Sequence, residues 1–142
     1  FRCGQCNIIL ALTDVGPGDG PTMVIPGSHK EAAYGGTWRQ SQTVPAELSV
    51  GDALIYSGKV VHGGGANQTT DRWRKAMHLS FVVGWLTPEE SSPIDYSDEE
   101  LSRCSPRVQR LLGHRSYDPR PHFGGGLWLR HANKIEDQTG VS

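Results

Sequence analysis

Two residues, His62 and Arg74, could do chemistry because of what surrounds them. His62 follows Val60 and Val61 and is itself followed by Gly63, Gly64 and Gly65. A neutral imidazole is a common metal ligand. The three glycines read as a bare turn: no Cβ stands beside His62, so backbone or a small molecule can come close to it. Arg74 lies in an apolar stretch, 73–83, that reads as a strand. Alternate side chains of a strand face opposite ways. Arg74, Ala76, His78, Ser80 and Val82 therefore share one face, and Trp73, Lys75, Met77, Leu79, Phe81 and Val83 share the other. The first face is smaller and more polar than a packed core prefers, so it reads as a cavity wall. An arginine pointing into a cavity needs an anion, and its planar fork suits a carboxylate. The pattern points to a metal beside a carboxylate-bearing small molecule.

Other elements must hold these residues in place. Residues 53–56 form a short apolar run after Gly51 and Asp52, as expected of a strand entering a core. Residues 6–13 are almost continuously apolar, which predicts a strand covered on both faces, with Cys6 at its buried start. A Gly/Pro turn at 16–20 and a returning strand at 22–25, stopped by Pro26 and Gly27, complete an expected hairpin over 7–25. The polar stretch 31–45 carries Tyr34 and Trp38, candidates for a pocket cover.

These segments resemble a known family. His62-Gly63-Gly64-Gly65-Ala66-Asn67 followed by Arg74-Lys75-Ala76 is similar to the distal motif of the phytanoyl-CoA dioxygenase family, iron(II)- and 2-oxoglutarate-dependent oxygenases built on a double-stranded β-helix. Upstream, Gly18-Asp19-Gly20 and Pro26-Gly27-Ser28-His29-Lys30 resemble that family's acidic-glycine turn and Pro-Gly-Ser-His-Lys segment. The resemblance covers about 7–86. It implies a mainly β jelly roll of cupin type, with residues 1–86 forming the C-terminal part of the core and 87–142 an extension with short covering helices.

It also implies roles. His62 would be the distal iron ligand, Arg74 the grip on the far carboxylate of 2-oxoglutarate, and Gly64 and Asn67 shapers of the cosubstrate pocket. The cofactors implied are Fe(II), 2-oxoglutarate and O2, and the partner is a small-molecule substrate that becomes hydroxylated. The family completes its iron site with a His-x-Asp or His-x-Glu pair on an earlier strand. The segment before Asn7 is too short for that strand, so the expectation is a C-terminal fragment, inactive by itself. A cupin-like small-molecule-binding domain without redox activity is the competing reading. An upstream His-x-Asp or His-x-Glu in the complete reading frame would separate the two.

Composition narrows the alternatives. With 142 residues, 36% of them hydrophobic, the chain is one domain's worth, and 18 glycines and 9 prolines favour a turn-rich β architecture. A net charge of −1 gives no electrostatic case for nucleic acid or an anionic membrane surface, and no apolar run is long enough to span a bilayer. Three cysteines, an odd number, argue for a reducing, cytoplasmic setting. Cys3 and Cys6 form a CxxC with no second ligand pair at zinc-finger spacing. His29-Lys30-Glu31 satisfies a His-x-acid pattern, but the resembled family does not use that histidine as a ligand, and His29 is expected to tie down its loop. His114, His122 and His131 match no ligand template. Ser97 with Glu100, and Ser105 with Pro106 and Gly113, signal two short capped helices, which the apolar face of Trp73, Met77, Leu79 and Phe81 could receive.

Overall fold

A computed structural model of the chain describes residues 4–30, 36–84, 86, 88–90 and 92–114. It divides into two compact units, Phe1–Phe81 and Val82–Ser142. Cys3, Tyr34, His122 and His131 lie outside the described residues.

The first unit is mainly β. Six strands, β1 (Gln5–Ala11), β2 (Thr22–Val24), β3 (Val44–Ala46), β4 (Ala53–Ser57), β5 (His62–Gly64) and β6 (Ala76–Val82), form two three-stranded sheets. Their orders are β4-β1-β6 and β3-β2-β5. Antiparallel register pairs Asn7 with Tyr56 and Ile9 with Leu54 in the first sheet, and Val24 with His62 and Thr22 with Gly64 in the second. On the far side of β1, Leu12 N–H donates to Lys75 O at 2.9 Å and Ser80 Oγ donates to Asn7 Oδ1 at 2.8 Å. As numbers rise on β1 they fall on β6, so these two also run antiparallel.

Several expectations need correction. The hairpin over 7–25 does not form, because β1 and β2 belong to different sheets. The Gly/Pro loop between them carries the chain from one sheet to the other, held by bridges Val15 to Leu48 and Asp19 to Asn67. Cys6 is exposed rather than buried: β1 alternates, with Asn7 at 5% and Ala11 at 1% exposure facing inward. The glycines after His62 are not a turn, since Gly63 and Gly64 are strand residues paired with Met23 and Thr22. The turn comes earlier, where Val60 N–H donates to Ser57 O.

Pro45 sits in β3, an edge strand, where its missing N–H leaves no ladder bond unmade. Ser28, not His29, ties the loop after β2. Its hydroxyl donates to Ile25 O at 2.7 Å and accepts from Val61 N–H at 2.8 Å, and it is 2% exposed while His29 is exposed. This clip fixes the residue just before His62. Ile55 at 64% and Trp73 at 83% exposure are among the exposed large apolar residues of the first unit.

In the second unit the short helices α1 (Ser92–Asp95), α2 (Asp98–Ser102) and α3 (Pro106–Leu111) follow one another. Ser97 and Glu100 form the expected capping box, and the hydrogen bonds from Ser97 hold the Glu100 carboxyl below the usual carboxylate range. Ser105 caps α3, and Gly113 leaves it with φ at 80°. Among the described residues no helix is long and apolar enough to cross a membrane.

Candidate functional site

An open cavity of about 450 Å³ lies between the two sheets of the first unit. Ile9, Tyr56, Arg74, Ala76 and His78 line it from the first sheet and the segment leading into β6; Thr22, His62, Gly63 and Gly64 line it from the second. The parity expected of 73–83 holds at the cavity, because Arg74, Ala76 and His78 all reach it. Regular strand begins only at Ala76, but Lys75 is still held against the end of β1 by Thr13 Oγ1, which accepts from Lys75 N–H at 2.9 Å.

His62 is held firmly. Its Nδ1 lies 2.8 Å from Val60 O, and its Nε2 lies 3.3 Å from the Tyr56 hydroxyl. The Tyr56 ring meets the imidazole edge-on, with centroids 4.7 Å apart and planes at 60°. Tyr56 is 8% exposed, and burial pushes its pKa up, so its hydroxyl is protonated at neutral pH. A carbonyl oxygen can only accept, so in the neutral ring Nδ1 carries the hydrogen. Nε2 then carries a lone pair of the kind that binds metals, and the Tyr56 hydroxyl lies beside it.

Two arginines approach this region, and they differ. Arg72 pairs with Asp19 at 2.8 Å, an aspartate whose side chain is 4% exposed and whose other oxygen accepts from Gly16 N–H at 2.8 Å. That pair neutralises a buried carboxylate. Arg74, half-buried at the cavity wall, has no carboxylate partner among the described residues. Among the residues lining the cavity it is the one lysine or arginine, and its planar fork is of the kind that pairs with a carboxylate.

The glycines play two roles. A Cβ on Gly63 or Gly64 would meet nothing within 4 Å, so Gly64 leaves open space in the cavity wall. A Cβ on Gly65 would stand 2.7 Å from Pro21 O, and one on Gly20 would stand 2.7 Å from Gly65 O. These two let backbones meet. Asn67 is placed differently from Gly64: its amide donates to Arg72 O at 2.7 Å, and its carbonyl accepts from Thr69 N–H and Oγ1 at 2.9 and 2.7 Å. It builds the loop carrying Arg72 toward Arg74 and is not among the residues lining the cavity.

Sequence patterns placed His78 on the cavity wall without giving it a role and did not single out Tyr56 as a site residue. Tyr56 had a signal in its placement six residues before His62, but only the intervening turn brings the rings together. Among the described residues no three His, Cys, Asp or Glu side chains gather into a metal-binding group. The described residues therefore fit an iron site only in part, through His62, whose hydrogen bond to Val60 O leaves a ring nitrogen suited to a metal.

Sequence comparison places the chain among dioxygenases. A family model described as phytanoyl-CoA dioxygenase (PhyH) matches residues 3–76, just over half of the 142 residues. The dioxygenase ALT11 of Alternaria alternata is 39% identical over 137 residues, covering 96% of this chain and 44% of that protein. The Fe(II)/2-oxoglutarate-dependent dioxygenase nvfF of Aspergillus novofumigatus is 33% identical over 143 residues, covering 97% of this chain and 46% of that protein. The dioxygenase easH of Epichloe festucae var. lolii is 34% identical over 139 residues and is itself covered to 75%. The chain spans less than half the length of the first two.

Proposed function

The chain belongs to the phytanoyl-CoA dioxygenase family, and we propose that it forms part of an iron(II)- and 2-oxoglutarate-dependent dioxygenase that hydroxylates a small organic molecule. The observation that carries this reading is the pairing, across one cavity, of a histidine whose Nε2 carries the lone pair with an arginine lacking a carboxylate partner among the described residues. One relative is named for use of both Fe(II) and 2-oxoglutarate.

In this reading His62 would contribute one iron ligand, and the others would have to come from elsewhere, since no group of three His, Cys, Asp or Glu side chains forms among the described residues. Iron held there would supply Lewis-acid binding of the 2-oxo acid end of the cosubstrate and the redox chemistry with oxygen. The residues of this chain do the rest. Val60 O accepts from Nδ1 and so leaves Nε2 as the nitrogen for the metal. Arg74 binds the far carboxylate in a bidentate pair and so sets the length over which the cosubstrate stretches. Gly64 leaves room for it, and Ile9 and Ala76 give an apolar wall beside it. The strand-like jelly roll around the cavity would be completed by further strands alongside the two three-stranded sheets.

The test is release of succinate when the full-length protein receives iron(II), oxygen and 2-oxoglutarate. Succinate formation that stops when the iron is chelated is the expected result. Intact, folded protein that binds iron yet forms no succinate would instead favour a cupin-like binding domain without redox chemistry.

A further inference from the structure

The hydroxyl of Tyr56 has no part in the proposed function, yet it lies 3.3 Å from Nε2 of His62. The hydrogen bonds decide which way the protons point. Val60 O accepts from Nδ1, so in the neutral ring Nε2 has no hydrogen to give, and Tyr56 must be the donor across the 3.3 Å between them. The Tyr56 proton thus sits on the lone pair that a metal would use.

We propose that Tyr56 is a positioning residue that acts as a placeholder for the metal: its hydroxyl caps His62 Nε2 until a cation displaces it. This rests on His62 being a metal ligand. One lone pair cannot both accept that hydrogen bond and coordinate a cation, so metal entry must break the bond between Tyr56 and His62. The other supports of the ring are independent of the hydroxyl. Val60 O alone selects the tautomer, and the edge-on ring contact at 4.7 Å needs only the aromatic ring. Phenylalanine keeps both and removes the competitor.

The expected sign is opposite to that of most substitutions beside a ligand. Tyr56→Phe should bind metal more tightly, by about 2- to 10-fold, as expected when a neutral hydrogen bond no longer has to be broken. Nickel(II), which is stable in air, serves as the probe, titrated calorimetrically into the full-length wild type, Tyr56→Phe and His62→Ala. Nitrogen NMR of the His62 ring supplies a readout that mere packing would not move: in the metal-free wild type Nδ1 should be protonated and Nε2 hydrogen-bonded, and in Tyr56→Phe the Nε2 signal should shift to that of an uncapped nitrogen. Equal or weaker nickel affinity in Tyr56→Phe overturns the placeholder, as does an Nε2-protonated tautomer in the wild type, which needs no variant to fold. His62→Ala binding nickel(II) as tightly as wild type would overturn something different, the assignment of His62 as a ligand.

Discussion

Arg74→Ala is expected to weaken 2-oxoglutarate binding by about 30- to 1,000-fold, the equivalent of about 2–4 kcal/mol for removing one partner of a hydrogen-bonded charge pair. The lower half of that range is favoured because Arg74 is half-buried and water screens part of the attraction. The fold should survive, since Arg74 holds no carboxylate among the described residues and the neighbouring buried aspartate, Asp19, is already neutralised by Arg72. Arg74→Lys keeps the charge but loses the planar fork, and should fall between wild type and alanine. Calorimetric titration of 2-oxoglutarate into the three proteins measures this. Equal affinity in all three would remove Arg74 from the site.

The second large effect concerns the backbone crossing beneath the site. Gly20 has φ at 70°, and a Cβ there would stand 2.7 Å from Gly65 O and 2.9 Å from Asn67 N. Both are backbone atoms, so nothing flexible can yield. Gly20→Ala should cost about 2–5 kcal/mol, combining strain at positive φ with a forced separation of two packed segments. For a chain of this size that lowers the unfolding midpoint by on the order of 10 °C. Gly51→Ala is the control: φ is 91°, but a Cβ there meets nothing within 4 Å, so only the conformational strain remains. A midpoint in Gly20→Ala no lower than in Gly51→Ala would show that the close crossing matters little. The crossing also carries the bridge from Asp19 to Asn67 and the Asp19–Arg72 pair, so Gly20→Ala should weaken 2-oxoglutarate binding as well.

What could be read from the sequence follows from how local each signal is. The inward row Arg74, Ala76 and His78 was legible because strand parity needs only neighbouring residues. The caps at Ser97 and Ser105 were legible for the same reason: a cap and its N–H partners lie within one turn. Pairing between distant segments was not. The division of β1 and β2 between two sheets, the Ser28 clip on Val61 and the Asp19–Arg72 pair all depend on where loops carry the chain. Gly63 and Gly64 misled because glycine is depleted in strands, and only the pairing with β2 shows why it is used here. Asn67 followed the opposite course: its motif position suggested the cosubstrate, while its amide bonds the loop that precedes Arg74.

The central claim is that one cavity holds a metal at His62 and a 2-oxo acid reaching from that metal to Arg74. The most direct measurement is the affinity of the full-length protein for 2-oxoglutarate under anaerobic conditions, with and without iron(II). If the cosubstrate chelates the metal, iron should tighten its binding by at least about 10-fold, and 2-oxoglutarate should tighten iron binding by the same factor. The same 2-oxoglutarate affinity with and without iron, in a protein shown to bind iron, would contradict the claim and leave a carboxylate-binding cavity with no metal chemistry.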